Sequence, residues 1–204
     1  MSGRLIVLEG GEGSGKSTQC GRLAERLRAR GLEVVRTREP GGTEGAEEVR
    51  RLLVEGAATR WDSWSELLLV YAARRDHVSR VIEPALARGA WVVCDRFVHS
   101  TLAYQGIVGG LGVEAVVNLH RLALGRLWPD QVLLLDLPVA EGLARAQSRG
   151  GAGRFESKGL AFHEALRAAF LTLLAAEPAT CRRLDASGSE DAVAARVAAA
   201  VEVP

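Results

Sequence analysis

The run Gly10-Gly11-Glu12-Gly13-Ser14-Gly15-Lys16-Ser17, followed by Thr18, fits the pattern G-x-x-x-x-G-K-[ST]. Glycines at these positions let backbone N–H groups turn inward around phosphate oxygens, and a helix starting at Lys16 offers its positive end to the same anion. Lys16 adds a point charge, and the Ser17 hydroxyl is a hard oxygen ligand suited to Mg²⁺. The competing reading is a plain glycine-rich turn between a strand and a helix. The apolar run Leu5-Ile6-Val7-Leu8 before the pattern and the helix-like segment after it supply the context that phosphate binding needs.

A loop of this kind sits at the carboxyl edge of a parallel sheet, where ligands of open α/β folds lie. The other polar residues that follow apolar runs therefore belong to the same crevice. The first run delivers Glu9, the second Arg38-Glu39-Pro40-Gly41-Gly42 and the third Asp95-Arg96. Two arginines converging beside a phosphate loop point to a second anion, since the guanidinium fork matches phosphate geometry. Asp95, after Trp91-Val92-Val93-Cys94, is placed to face loop-bound Mg²⁺. Asp136 follows a similar run but leads into a helix and is read as a cap. Asp185-Ala186-Ser187-Gly188 copies the D-x-x-G box of GTPases, yet it follows the last run and no N-K-x-D box occurs.

The elements that must position these groups follow from periodicity. Short apolar runs at 5–9, 33–37, 91–95, 131–136 and 181–185 read as strands, and amphipathic stretches at 16–30, 46–54, 61–88, 113–124, 139–149, 155–176 and 190–201 read as helices. That alternation predicts an α/β fold with a parallel sheet covered on both faces, and 204 residues, 48% of them hydrophobic, predict one domain over 1–204. Gly150, Gly151 and Gly153, flanked by Arg149 and Arg154, read as a turn or a lid. A net charge of +1 argues against a general polyanion surface and so against nucleic acid. Nearly all the positive charge is arginine, with lysine only at Lys16 and Lys158.

Cys20, Cys94 and Cys181 are far apart and form no C-x-x-C pair, which suits a reduced, cytoplasmic protein. No leader and no apolar run of bilayer length is read, so no membrane partner is expected. His77, His99, His120 and His163 show no metal-ligand spacing and are expected on the surface; Trp61 and Trp64 are expected to pack helices. Of the neighbouring pair Arg74 and Arg75, the second is expected in solvent.

Thr37-Arg38-Glu39-Pro40-Gly41-Gly42-Thr43, Tyr71-Ala72-Ala73-Arg74 and Asp95-Arg96-Phe97-Val98-His99-Ser100-Thr101-Leu102-Ala103-Tyr104-Gln105-Gly106 resemble the motifs of the bacterial thymidylate kinase family, in order and over essentially the whole chain. The long Asp95 motif is the most specific. The resemblance implies a P-loop NTPase-type three-layer α/β/α fold with a five-stranded parallel sheet and a short arginine-bearing lid at about 147–156. It implies transfer of the ATP γ-phosphoryl group to dTMP, giving dTDP and ADP for dTTP biosynthesis, with Mg²⁺ as cofactor. It also implies a homodimer packed through helices such as 61–88.

By the same resemblance Gly10 to Thr18 would bind ATP, and Ser17 and Asp95 would hold the metal, the latter through water. Arg38 and Arg96 would grip the acceptor phosphate, and Arg74 would reach the thymine and phosphate region. Ser100, Thr101, Tyr104 and Gln105 would line the nucleoside pocket, with Glu12 at the sugar 3′-hydroxyl and Tyr104 disfavouring a ribose. Arg149 and Arg154 would close over the phosphates, completing a catalytic set of Lys16, Arg38, Asp95, Arg96, Arg149 and Arg154. Two positions depart from the family pattern: Val70 stands where a phenylalanine stacks on thymine, with Tyr71 as the ring that could turn in instead, and Gly153 stands where the lid has an acidic residue. The rivals to this reading are another nucleoside monophosphate or deoxynucleoside kinase, and a binding protein that uses the loop as a switch.

Overall fold

A computed structural model of the chain describes residues 3–148 and 153–201. Strands β1 (Leu5–Glu9), β2 (Val34–Arg38), β3 (Trp91–Asp95), β4 (Gln131–Asp136) and β5 (Cys181–Asp185) form one parallel sheet in the order β2-β3-β1-β4-β5. Because strand side chains alternate, β1 feeds two cores at once. Leu5 and Val7 enter one hydrophobic cluster, and Ile6 and Leu8 enter the other on the opposite face. β3 does the same with Val92 and Cys94 against Trp91 and Val93. Burial on both faces explains why these strands read as unbroken apolar runs.

Helices α1 (Lys16–Ala29) and α9 (Glu190–Ala200) pack together on one face. The other face carries α3 (Ser63–His77), α6 (Val113–Leu124) and α8 (Leu160–Ala176). α2 (Glu44–Val54) lies against α3, and α7 (Val139–Ser148) precedes the glycine-rich segment. The Thr43 side chain caps α2 through the Ala46 N–H at 3.1 Å, and Asp62 caps α3 through the Ser65 N–H at 2.8 Å. The register pairs Arg38 and Leu8 with Asp95 from either side, which sets the polar strand ends on one edge.

Three stretches differ from the sequence expectation. The stretch 61–88 is not one α-helix: it runs as α3, a π-helical segment Val78–Ile82 and α4 (Glu83–Ala87). Pro84 at the start of α4 has no N–H to donate, so the hydrogen-bond ladder changes its spacing there. The chain after β3 forms α5 (Val98–Thr101) and a π-helical segment Leu102–Val108. The expected helix 155–176 starts only at Leu160.

Asp136 does not cap a helix. It is nearly buried and paired with Arg167 at 2.7 Å and Arg183 at 2.7 Å, which tie α8 and β5 to β4. The four histidines are buried rather than superficial. Three of them have found partners: His77 with Glu39, His120 with Tyr71 and the Leu127 carbonyl, and His99 with Glu177. Such long-range partners leave no trace in local spacing. Trp64 is 53% exposed and does not pack inward, whereas Trp61 donates to the Leu52 carbonyl at 2.9 Å. No helix among the described residues is long and apolar enough to cross a membrane.

The fold brings donor atoms of His99, Glu177 and Cys181 within 4.8 Å of one another. Burial alone would lower the His99 pKa, but the Cys181 sulfur and the Glu177 carboxylate raise it to about 9. Glu177 and Cys181 therefore favour the protonated ring at neutral pH. A pKa raised in the fold stabilises fully below the unfolded value near 6.5, and that stabilisation fades as pH rises through 9. Urea unfolding should show a stability loss on the order of 3 kcal/mol between pH 6 and pH 9 that His99→Gln lacks. The same slope in both proteins would show that His99 does not carry the charge.

Candidate active site

The loop after β1 is shaped by close approaches that only glycine allows. A Cβ on Gly13, whose φ is +71°, would lie 1.9 Å from the Gly142 carbonyl oxygen, so α7 rests directly on the loop backbone. Gly15, at φ +87°, turns the chain into α1. Lys16 Nζ lies 2.8 Å from the Gly11 carbonyl and 3.3 Å from Ser14 Oγ, which keeps the ammonium over the loop. Burial and then the Arg96 charge lower its pKa, against Glu12 and Asp95. Ser17 Oγ donates to Asp95 Oδ2 at 2.5 Å. A hydroxyl and a carboxylate in contact at the loop's edge form the hard oxygen pair that Mg²⁺ takes, so these residues fit that ion.

Glu12 leaves the loop in the other direction. Its Oε1 accepts from Arg96 Nη2 at 2.9 Å and from the Tyr104 hydroxyl at 3.1 Å. Burial would raise its pKa, but Arg96, Lys16 and Tyr104 outweigh it and hold the carboxyl at about 2. Arg96 is the one non-glycine residue among those described with a positive φ, +70°. That sparsely populated backbone state is maintained by surroundings that fix the side chain. Arg96 Nη1 donates to Ser100 Oγ at 3.1 Å, and the Tyr104 ring lies 5.3 Å from the guanidinium carbon. Glu9, read from sequence only as a strand end, is fully buried and accepts from Phe97 N, Ser100 N and Ser100 Oγ. It holds the start of α5 and so aims Ser100 at Arg96.

Beyond Glu12 opens a cleft of about 660 Å³ whose walls include Arg50, Val70, Arg74, Arg96, Tyr104 and Gln105. That volume lies in the range of small-molecule sites. Arg74 Nε donates to Glu39 Oε2 at 2.6 Å and Nη2 to Thr101 Oγ1 at 3.0 Å, while the buried Nη1 has no partner. A buried unmet donor on a cleft wall is costly unless a ligand supplies an acceptor. Glu39 also meets His77 Nδ1 at 3.0 Å, and His77 Nε2 meets Thr37 Oγ1 at 2.6 Å. Because a carboxylate only accepts, His77 donates from Nδ1 and, when neutral, takes the Thr37 proton at Nε2.

Val70 lines the cleft as expected of its position, but Tyr71 does not turn in. Its hydroxyl lies 3.3 Å from the Val116 carbonyl and 3.2 Å from His120 Nδ1, both on α6. Arg75 is exposed. Arg38 is half-exposed and paired with Glu47 at 3.0 Å, and the arginine on the cleft wall beside it is Arg50. Sequence reasoning missed Arg50, one arginine among many on an ordinary helix. Burial, followed by the charge of Arg38, lowers its pKa, and Glu47 only partly compensates. Such crowding of cations marks a place for an anion.

Arg154 differs most from expectation. It is buried, and its guanidinium donates to the carbonyls of Leu53, Ala57, Ala58 and Trp61 and to the Glu66 carboxylate. It fastens the segment to the end of α2 and the α2–α3 connection, with one Nη1–H beyond the Leu53 bond left over. Arg149 lies outside the described residues. At Gly153 the missing acidic side chain is replaced by Glu156, which accepts from the Gly153 N–H at 2.9 Å.

A family model described as thymidylate kinase matches residues 8–197. The chain belongs to the thymidylate kinase family. It is 56% identical over 195 residues to the thymidylate kinase of Caulobacter vibrioides, covering 96% of this chain and 94% of that protein. It is 53% identical over 199 residues to that of Rhizorhabdus wittichii, covering 97% and 96%. The crystal structure of thymidylate kinase from Ehrlichia chaffeensis superposes with a TM-score of 0.79 at 31% identity, covering 98% of both chains. The three-layer P-loop fold implied by the motifs is thus the fold of the family.

The site's backbone gives a direct check on its tight spots. Gly42 and Gly188 share a positive φ, +93° and +88°, but a Cβ on Gly42 would meet the His77 ring at 2.4 Å, whereas Gly188 faces open space. Gly188→Ala should cost about 1 kcal/mol and Gly42→Ala clearly more, about 3 kcal/mol, in denaturant unfolding. Equal losses would mean that the ring yields.

Proposed function

We propose that this chain transfers the γ-phosphoryl group of ATP to dTMP, yielding dTDP and ADP. The observation that carries the reading is Glu12: it belongs to the phosphate loop yet bonds to Arg96 and Tyr104 on the cleft side, so donor and acceptor spaces meet at one residue. The loop backbone and Lys16 hold the donor phosphates. Arg96, Arg50 and Arg38 offset the repulsion between donor and acceptor phosphates.

No general base is needed. A monophosphate has a second pKa of about 6 and is already an anionic nucleophile near neutral pH. The protein's work is alignment and charge neutralisation. Ser17, directly, and Asp95, through water, would hold Mg²⁺, which when bound neutralises charge on the donor phosphates. Glu12, ionised at neutral pH, accepts the sugar 3′-hydroxyl, and Tyr104 packs against the sugar where a 2′-hydroxyl would project. Thr101 holds Arg74 so that Nη1 can donate to a base carbonyl, and Gln105 faces the same base. Arg149 is the lid arginine left to reach the transferring group, since Arg154 is committed elsewhere.

Residues 1–204 act as one kinase domain in the cytoplasm. Trp64 and Leu68, 53% and 57% exposed and one turn apart on α3, support a homodimer built through that helix. Leu68→Glu should convert the protein to a monomer in sedimentation, and a monomeric wild type would sink that assignment.

In a coupled ADP-release assay with dTMP, dUMP, dCMP, UMP and AMP, dTMP should be the best acceptor. A protein that shows no preference for dTMP is not this enzyme. Arg96→Ala should lower turnover by about a thousandfold while ATP affinity changes little, as expected for loss of a charge that stabilises the reacting centre.

A further inference from the structure

Glu66 sits in the first turn of α3, 5% exposed, and does not line the cleft. Both of its carboxylate oxygens are engaged. Oε2 accepts from Gln105 Nε2 at 2.9 Å, and Oε1 accepts from Arg154 Nη2. Arg154 also donates to backbone carbonyls of Leu53 at the end of α2 and of Ala57, Ala58 and Trp61 in the α2–α3 connection, so the arginine is fixed and Glu66 is fixed by it.

We propose that Glu66 is a positioning residue that sets base selectivity by imposing one orientation on the Gln105 amide. The proposal rests on the dTMP kinase reading above. A carboxylate paired with a guanidinium is acceptor-only, so the Gln105 NH₂ must face it; the flipped amide would set oxygen against oxygen in a buried site. Gln105 lines the cleft, and its carbonyl is the end turned away from Glu66. Thr101, which receives Arg74, and Gln105 lie four residues apart on the same helical stretch.

The cleft therefore pairs a fixed acceptor, Gln105 Oε1, with Arg74, whose buried Nη1 has no hydrogen-bond partner and would reach a base carbonyl once a ligand supplies it. An acceptor and a donor together complement the N3–H and C4 carbonyl of thymine or uracil. Cytosine, with a bare N3 and a C4 amino group, offers the opposite pair. Without Glu66 the amide is free to rotate and serve either base. The buried ion pair also couples the lid-side segment to the base, because Arg154 and Gln105 share one carboxylate.

The test is Glu66→Gln, whose amide can donate to a flipped Gln105. The ratio of kcat/KM for dTMP over dCMP should fall at least about tenfold, with most of the change in the KM for dTMP and little in the KM for ATP. Glu66→Asp, which keeps the charge, should retain more of the ratio than Glu66→Gln. A parallel loss of turnover on dTMP, dUMP and dCMP with an unchanged ratio would overturn the proposal and leave Glu66 a structural anchor only. If the single variant does not fold, Glu66→Gln with Arg154→Met removes both charges and reads the same ratio. A wild type without preference for dTMP over dCMP would defeat the kinase reading instead, before any variant is compared.

Discussion

The ion pair between Glu12 and Arg96 is the contact around which the site is organised. One partner belongs to the loop after β1 and the other to the end of β3, strands that lie side by side in the sheet. Sheet topology therefore decides that the phosphate loop and the acceptor cleft share a border. Burial works against each charge separately, and each survives because the other is there; Glu12 is held at about 2 and Arg96 is pushed further up, burial being overcome by Tyr104 and Glu12. The positive φ of Arg96 accompanies this contact, its side chain being held by Glu12 and Ser100.

Three buried glutamates do the remaining aiming. Glu9 holds α5 and Ser100, Glu39 holds Arg74 and His77, and Glu66 holds Gln105 and Arg154. Glu9 ties the start of α5 to β1 and Glu39 ties α3 to the end of β2, each through donors on one element, whereas Glu66 joins donors from two. Partly satisfied networks of this kind are costly, so their completeness is itself informative. Arg74 lines the cleft, and its buried Nη1 has no hydrogen-bond partner among the described residues.

The strands, the loop and the Asp95–Ser17 contact were legible in the sequence because each rests on local pattern: apolar runs, glycine spacing and the residue that ends a strand. Arg50, Glu66 and the commitment of Arg154 were not. Their roles come from partners 10 to 101 residues away in the chain, from Arg50 and the Pro40 carbonyl to Arg154 and the Leu53 carbonyl. The histidines failed for the same reason, since a polar ring with no local signal was assigned to solvent. Trp64 failed in the opposite sense: bulk suggested burial, but the helix turns that face outward. The family motifs located the site; only the folded chain distinguishes Arg50, on the cleft wall, from Arg38, held by Glu47.

The chain's near-exclusive use of arginine has a practical side. Its two lysines both stand at functional elements: Lys16 curls over the phosphate loop, and Lys158 lies 4.5 Å from the Phe162 ring beside the lid-side segment. Burial lowers the pKa of each, with Arg96 adding to the effect at Lys16. Reagents that acylate side-chain amines therefore have only these two targets in the sequence, one over the phosphate loop and one over the Phe155 and Phe162 rings.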